Sequence, residues 1–212
     1  MRGDTHAFDE AVLLALRTPG DPSDPVGPHW VEELGRDATA LGGTGILTFV
    51  TLAVAGFLWL NGSRRSMGFL LAAIGTGTLL SRGFKALVDR PRPDLVPHGS
   101  YVYTASFPSG HSLMAALVWL TLAVMLAREQ PSRTVKVYLV CLAALVAGAV
   151  GVSRVYLGVH WPSDVAAGWA LGTAWALVCW AAAAWLGSRG NIEPERGTDA
   201  PDPSPSAPCS PR

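Results

Sequence analysis

Five long apolar runs constrain this chain before any other feature does: Ile46 to Leu60, Met67 to Val88, Gly110 to Ala127, Val137 to Val152 and Val165 to Leu186. A helix on the surface of a soluble protein keeps a polar face. Ala143 to Val152 and Ala176 to Leu186 offer almost none. Crossing a bilayer takes about 20 apolar residues. The first run approaches that length with Gly42 to Thr44 and Asn61. The fold class expected is all-α, an integral membrane helix bundle of about five transmembrane helices plus a short amphipathic N-terminal helix. The rival, a soluble all-α protein with unusually apolar core helices, fails on the missing polar faces. Trp59, Trp161 and Trp185 near run ends fit an interfacial belt.

The segments between the runs are short and mostly polar. Residues 6–17 place Phe8, Val12, Leu13 and Leu16 on one helical face. That helix either lies at the membrane interface or packs on the bundle. Met1 to Glu10 carries Asp4, Asp9 and Glu10 and does not read as a signal peptide. Pro19 to Pro28 is a turn or linker, and a second short helix is expected from His29 to Leu41. Residues 1–43 thus form an extracytoplasmic or interfacial region, 44–187 the transmembrane domain, and 188–212 a disordered cytoplasmic tail rich in Pro, Ser, Asp and Glu.

Net charge is zero over 212 residues, so no basic field points to nucleic acid. The distribution is informative. Arg64, Arg65, Arg128, Arg133, Lys136, Arg189 and Arg196 fall on one side of the expected bundle. The positive-inside rule puts that side in the cytoplasm. The other side holds the acidic N-terminus. Cys141 and Cys179 sit in apolar runs and Cys209 in the tail, with no CxxC pair. Neither zinc nor a disulfide framework is indicated, and the first two read as buried small hydrophobes.

Three polar clusters stand at run ends: Lys85 to Pro93, Phe107 to His111, and Ser153 to Asp164. Alternating run direction places them on one face of the membrane, where ionisable groups are expensive. Lys85 and Arg92 supply a point charge and a planar fork for phosphate oxygens; alone, they could be snorkelling basic residues. Ser109 suits an N-cap and Gly110 a close backbone approach. A helix start there favours an anion, with His111 beside it as a proton donor. Alone, this is a capped helix with an incidental His. Arg154 adds a fork. Asp164 can fix the ring of His160 and leave its other nitrogen as base or nucleophile. Alone, these are an ordinary helix-start Asp and a nearby His.

Lys85-x6-Arg92-Pro93, Pro108-Ser109-Gly110-His111 and Ser153-Arg154-x5-His160-x3-Asp164 resemble, in order, the three signature motifs of the type 2 phosphatidic acid phosphatase superfamily. The resemblance covers about residues 44–187. It implies that His160 is the nucleophile forming a phosphohistidine, oriented by Asp164, and that His111 is the general acid. Lys85, Arg92, Ser109, Gly110 and Arg154 then form the phosphate cradle. No cofactor and no divalent metal are expected. The expected partners are the bilayer and a lipid phosphate: undecaprenyl pyrophosphate, phosphatidic acid or phosphatidylglycerol phosphate. The active site should face the periplasm or cell exterior from a multi-pass protein of the cell membrane. A vanadate-dependent haloperoxidase shares the cradle but belongs to soluble relatives. A non-catalytic scaffold with a relic site is disfavoured by the complete motif set. Many bacterial members have six spans; five are counted here. Specificity is expected from the 94–107 loop, the N-terminal helix and grooves between spans.

Overall fold

The computed structural model describes residues 2–88, 90–94 and 105–188. Helix α1 (Arg2–Ala15) leads into a small antiparallel ribbon, β1 (Arg17–Thr18) with β2 (Asp21–Pro25). Then come α2 (His29–Ala40), α3 (Thr44–Leu60), α4 (Arg64–Leu87), α5 (Gly110–Arg128), α6 (Arg133–Tyr156) and α7 (Pro162–Ser188). The ribbon stands where a linker was expected. Every other regular element among the described residues is a helix, as the apolar runs require.

Helices α4, α5, α6 and α7 are each long and apolar enough to cross a membrane. The first expected span is more complicated. Its helix, α3, has 17 residues, because Gly42 and Gly43 break the chain. With α2 it forms a pair bent by 46°, and only together do the two reach a span's length and hydropathy. The bend is held by packing. A side chain on Gly42 would run into Val150 of α6 and come within 3.2 Å of the His111 carbonyl.

Helix α5 is the centre of the bundle, with Leu113, Ala115, Ala116, Leu117 and Val118 buried. Helix α7 crosses it at backbone contact. A Cβ on Gly168 would lie 2.8 Å from the Ser109 carbonyl and 3.0 Å from Ser112 Cβ, and one on Gly172 would overlap the Leu113 carbonyl. Gly168-x3-Gly172 is thus a small-residue stripe that lets two helices approach closely. Tryptophans tie the other helices together. Trp169 Nε1 donates to Ala147 O of α6 at 2.9 Å, and Trp175 Nε1 to Ala73 O of α4 at 3.2 Å.

Outward faces carry Phe49, Phe57, Leu79, Leu145 and Leu177, as expected where the surroundings are lipid tails. Two sequence expectations change here. Cys179 is buried, but Cys141 is exposed on the outer face of α6. Trp59 and Trp185 are exposed near helix ends, but Trp161 is buried and donates to Pro91 O at 3.1 Å. It belongs to the site's framework and not to an interfacial belt.

The N-terminal helix packs on the bundle. Leu13 is 0% exposed and clusters with Val155, Trp161 and Val165. The expected loop specificity at 94–107 falls largely on residues 95–104, and the tail on 189–212; both lie outside the described residues.

Candidate active site

Antiparallel helices bring four ends together. Lys85 stands in the last turn of α4, and Gly110 and His111 begin α5. Arg154 stands in the last turn of α6, and Asp164 in the first turn of α7. Lys85, Arg92, Gly110, His111, Arg154 and His160 all line one cavity of about 1230 Å³. Ser109 and Asp164 are buried behind its wall.

The chain reaches His160 through a tight turn after α6. Gly158 has φ of 72°, its N–H donates to Val155 O at 2.9 Å, and the Val159 N–H donates to Arg154 O at 3.1 Å. This is a Schellman ending, in which the left-handed position suits glycine. His160 follows with its own N–H on the Arg154 carbonyl at 3.3 Å.

Asp164 is aimed by the helix it starts. It is the third residue of α7, and its Oδ2 accepts the Trp161 backbone N–H at 3.1 Å. That bond satisfies a donor the helix start leaves open, as the acidic half of a capping box does. The same oxygen accepts the Ser106 hydroxyl and lies 3.6 Å from His160 Nδ1. Oδ1 accepts Arg90 Nη1 at 2.7 Å.

The other face of the imidazole meets Arg92, whose Nη1 is 3.2 Å from His160 Nε2 and 2.9 Å from Val159 O. A guanidinium only donates, so Nε2 accepts and the ring proton sits on Nδ1, toward Asp164 and Ser106. His160 is 1% exposed. Burial pulls its pKa down to about 4; Arg92 and Arg154 add to the effect, and Asp164 opposes it.

The cations are held by backbone and neighbours. Lys85 Nζ donates to Ala105 O at 3.4 Å. A Cβ on Gly110 would be 3.5 Å from Lys85 Cε, an ordinary contact, so the lysine stem lies against the first turn of α5. Arg154 Nη1 donates to Thr39 Oγ1 at 3.0 Å, while its buried Nε has no hydrogen-bond partner. Ser109 works as the N-cap: it accepts from Ser112 N at 3.4 Å, and its own N–H donates to Asp164 O at 3.0 Å.

Sequence reasoning missed Ser106, Thr39, Asp9 and Ser163. Ser106, Thr39 and Asp9 have no periodicity or spacing that points to the site, because each arrives from a loop or another helix; Ser163 lies beside Asp164 in the third cluster and carried no signal of its own. Arg90 was visible only as one member of a crowded basic segment. Gly168-x3-Gly172 went unread in the sequence, and it explains why α5 and α7 present their ends together.

Away from its polar end, the cavity runs between α3 and α4. It is lined there mainly by Leu47, Leu52, Leu71, Ile74 and Gly75, with Thr48, Thr51 and Thr78 among them and Met114 of α5 behind.

Residues 66–188 match the PAP2 superfamily. The chain belongs to the PAP2 superfamily. This is the family whose three motifs the sequence resembles. Phosphatidylglycerophosphatase B of Bacillus subtilis is 36% identical over 148 residues, covering 68% of this chain and 70% of that protein. Lipid A 1-phosphatase of Rhizobium etli is 27% identical over 175 residues, covering 70% and 71%. The crystal structure of a transmembrane PAP2 type phosphatidylglycerolphosphate phosphatase from Bacillus subtilis superposes with a TM-score of 0.77 at 29% identity, covering 87% of this chain and 88% of that one. This PAP2 member is therefore a multi-pass membrane protein and a phosphoric ester hydrolase, a lipid phosphatase by class.

Proposed function

We propose that this PAP2 member hydrolyses the phosphate monoester of a glycerophospholipid through a phosphohistidine at His160, with phosphatidylglycerol phosphate the first candidate substrate. The observation that carries the reading is the ordering of the His160 ring. Asp164 and Ser106 stand on its Nδ1 side, and Arg92 on Nε2 at 3.2 Å, at the wall of a cation-lined cavity.

In this reading the phosphate enters between Lys85, Arg92 and Arg154, over the first turn of α5. Its oxygens take N–H groups from the Arg92 and Arg154 guanidiniums, freeing the Nε2 lone pair. His160 Nε2 attacks phosphorus; the N–P bond forms as the P–O bond to the lipid breaks. His111 gives its proton to the leaving oxygen. Asp164 stabilises the charge gained by the ring. Water then attacks phosphorus, the N–P bond breaks, and His111 takes the water's proton. The fixed cations stabilise the charge on the transferring group, usually the largest contribution in such sites.

The choice of lipid is supported by the likeness to phosphatidylglycerophosphatase B of Bacillus subtilis in sequence and to a phosphatidylglycerolphosphate phosphatase of the same organism in structure. The apolar arm of the cavity between α3 and α4 would take a hydrocarbon chain. Orientation follows from Arg64, Arg65, Arg128, Arg133 and Lys136 at the opposite helix ends. By the positive-inside rule they support a cytoplasmic position for that side and an outward-facing site in the cell membrane.

The test is phosphate release by purified protein in lipid–detergent micelles. The panel contains phosphatidylglycerol phosphate, phosphatidic acid and undecaprenyl pyrophosphate, with His160→Ala in parallel. Release from the first substrate, lost in the variant, is expected. Among the described residues no three His, Cys, Asp or Glu side chains gather as a metal site, so turnover should persist with a chelator. Turnover unchanged in His160→Ala overturns the mechanism.

A further inference from the structure

Asp9 of α1 is 0% exposed, an unusual place for a carboxylate in a helix that already has an apolar anchor in Leu13. Burying a charge is costly, and a hydrophobic residue of similar size often serves stability as well. What Asp9 touches is specific. Its Oδ1 accepts the Ser163 backbone N–H at 2.9 Å, and its Oδ2 accepts the Ser163 hydroxyl at 2.5 Å and Arg90 Nη2 at 2.7 Å. The other end of that guanidinium, Nη1, holds Ser163 Oγ and Asp164 Oδ1, each at 2.7 Å. Arg90 also lies over the Trp161 ring, 5.7 Å from its centroid, while His6 of α1 meets that ring edge-on at 5.1 Å.

We propose that Asp9 is a positioning residue of the phosphatase reaction, acting through Arg90 to orient the Asp164 carboxylate that in turn orients His160. The physical basis is a shared cation. Arg90 spans two carboxylates, so its charge is divided between them. Asp164 keeps enough negative charge to stabilise the positive ring that forms when His160 is phosphorylated. Arg90 also occupies Oδ1, which turns Oδ2 toward His160 Nδ1. Asp9 fixes the far end of the fork and, through Ser163, the first turn of α7 on which Asp164 sits. Without Asp9, Arg90 would bear on Asp164 alone and lose its second anchor. The N-terminal helix, outside the three motifs, thereby becomes part of the catalytic framework.

The inference rests on His160 being the nucleophile, and the experiment separates the two. Purified full-length protein is assayed with phosphatidylglycerol phosphate micelles as wild type, Asp9→Asn, Arg90→Lys, Arg90→Gln, Asp9→Asn/Arg90→Gln and His160→Ala. Thermal unfolding in detergent reports the folded fraction. Asp9→Asn keeps the shape and the Leu13 anchor. Its kcat per folded molecule should fall at least tenfold while KM stays within twofold. In the Arg90→Gln background the same change should cost less than twofold further, because the relay is already cut. A kcat for Asp9→Asn within twofold of wild type overturns the proposal. So does a full additional loss in the double variant. If Asp9→Asn does not fold, Arg90→Lys carries the test. It keeps the charge but cannot bridge both carboxylates, so kcat should fall at least tenfold with KM unchanged; near-normal kcat overturns the proposal. If His160→Ala itself turns over normally, the reading of the whole site fails. If His160→Ala is inactive and the Asp9 and Arg90 variants are normal, only the relay fails.

Discussion

Arg92 donates to His160 Nε2 at 3.2 Å, so the group proposed to hold the phosphate also guards the nitrogen proposed to attack it. A cation in that position opposes protonation of Nε2. It must also shift onto phosphate oxygens as substrate binds, which exposes the lone pair only when phosphate is present. Lysine could supply the charge but not the planar fork. Arg92→Lys should lower kcat/KM by about 100-fold, the scale seen when one preorganised donor to a transition state is lost. Steady-state phosphate release measures this. A loss under threefold would show that the fork is not needed.

The pH behaviour of His160 has a definite sign. Its pKa is pulled down to about 4, chiefly by burial, so the neutral ring persists in the folded protein well below the ordinary value. Any acid limb in kcat/KM that reports His160 should therefore fall near pH 4 and not near 6.5. Stability runs the same way. Between about 6.5 and 4 the unfolded chain binds a proton at this position that the folded chain does not, so lowering pH through that window favours unfolding. Above about 6.5 the contribution is constant. His160→Gln should flatten this part of the stability profile, read by unfolding in detergent at stepped pH.

The crossing of α5 and α7 leaves no room at Gly172, where an added Cβ would meet the Leu113 carbonyl. Gly172→Leu should force the helices apart. Overpacking of this kind costs about 1–3 kcal/mol, and the shift also separates His111 on α5 from Asp164 on α7. Activity should fall more than tenfold even below the melting transition. Parallel unfolding and turnover measurements check it, and wild-type turnover in a folded variant would refute the close crossing.

Gly75 lines the apolar arm of the cavity, and nothing lies within 4 Å of where its Cβ would stand. Gly75→Phe should therefore fold and fill the arm. KM for a long-chain lipid phosphate should rise about tenfold, the effect of losing burial of a few methylene groups. Turnover of a short-chain, water-soluble phosphate should stay within twofold. Equal effects on both substrates would detach the arm from chain binding.

Much of the fold was legible because the bilayer restricts the options. Runs such as Val137 to Val152 and Val165 to Leu186 satisfy backbone groups in lipid only as helices. Their alternation brings Lys85, His111, Arg154 and His160 to one face. The motif residues were legible because a phosphate site needs cations, a helix start and an imidazole at particular spacings. The short first span was less so. Ile46 to Leu60 reads as one span, but Gly42 and Gly43 divide it from α2, and packing against Val150 and His111 sets the bend.

The sequence by itself determined the helical membrane class, the order of the helices and the motif side chains that line the cavity's polar end, Lys85, Arg92, His111, Arg154 and His160. It did so because burial in lipid and chemistry toward phosphate both act on residue types along the chain. Only the tertiary structure decided how those groups are held. Asp9 reaches Arg90 at 2.7 Å across 81 positions, and Ser106 reaches Asp164 across 58. Hydrogen bonds depend on distance and direction in space, and no local pattern records a partner so far away along the chain. The same reason separates Trp161 from Trp59 and Trp185. Identical side chains near helix ends became framework in one case and outward surface in the others, according to what packed beside them.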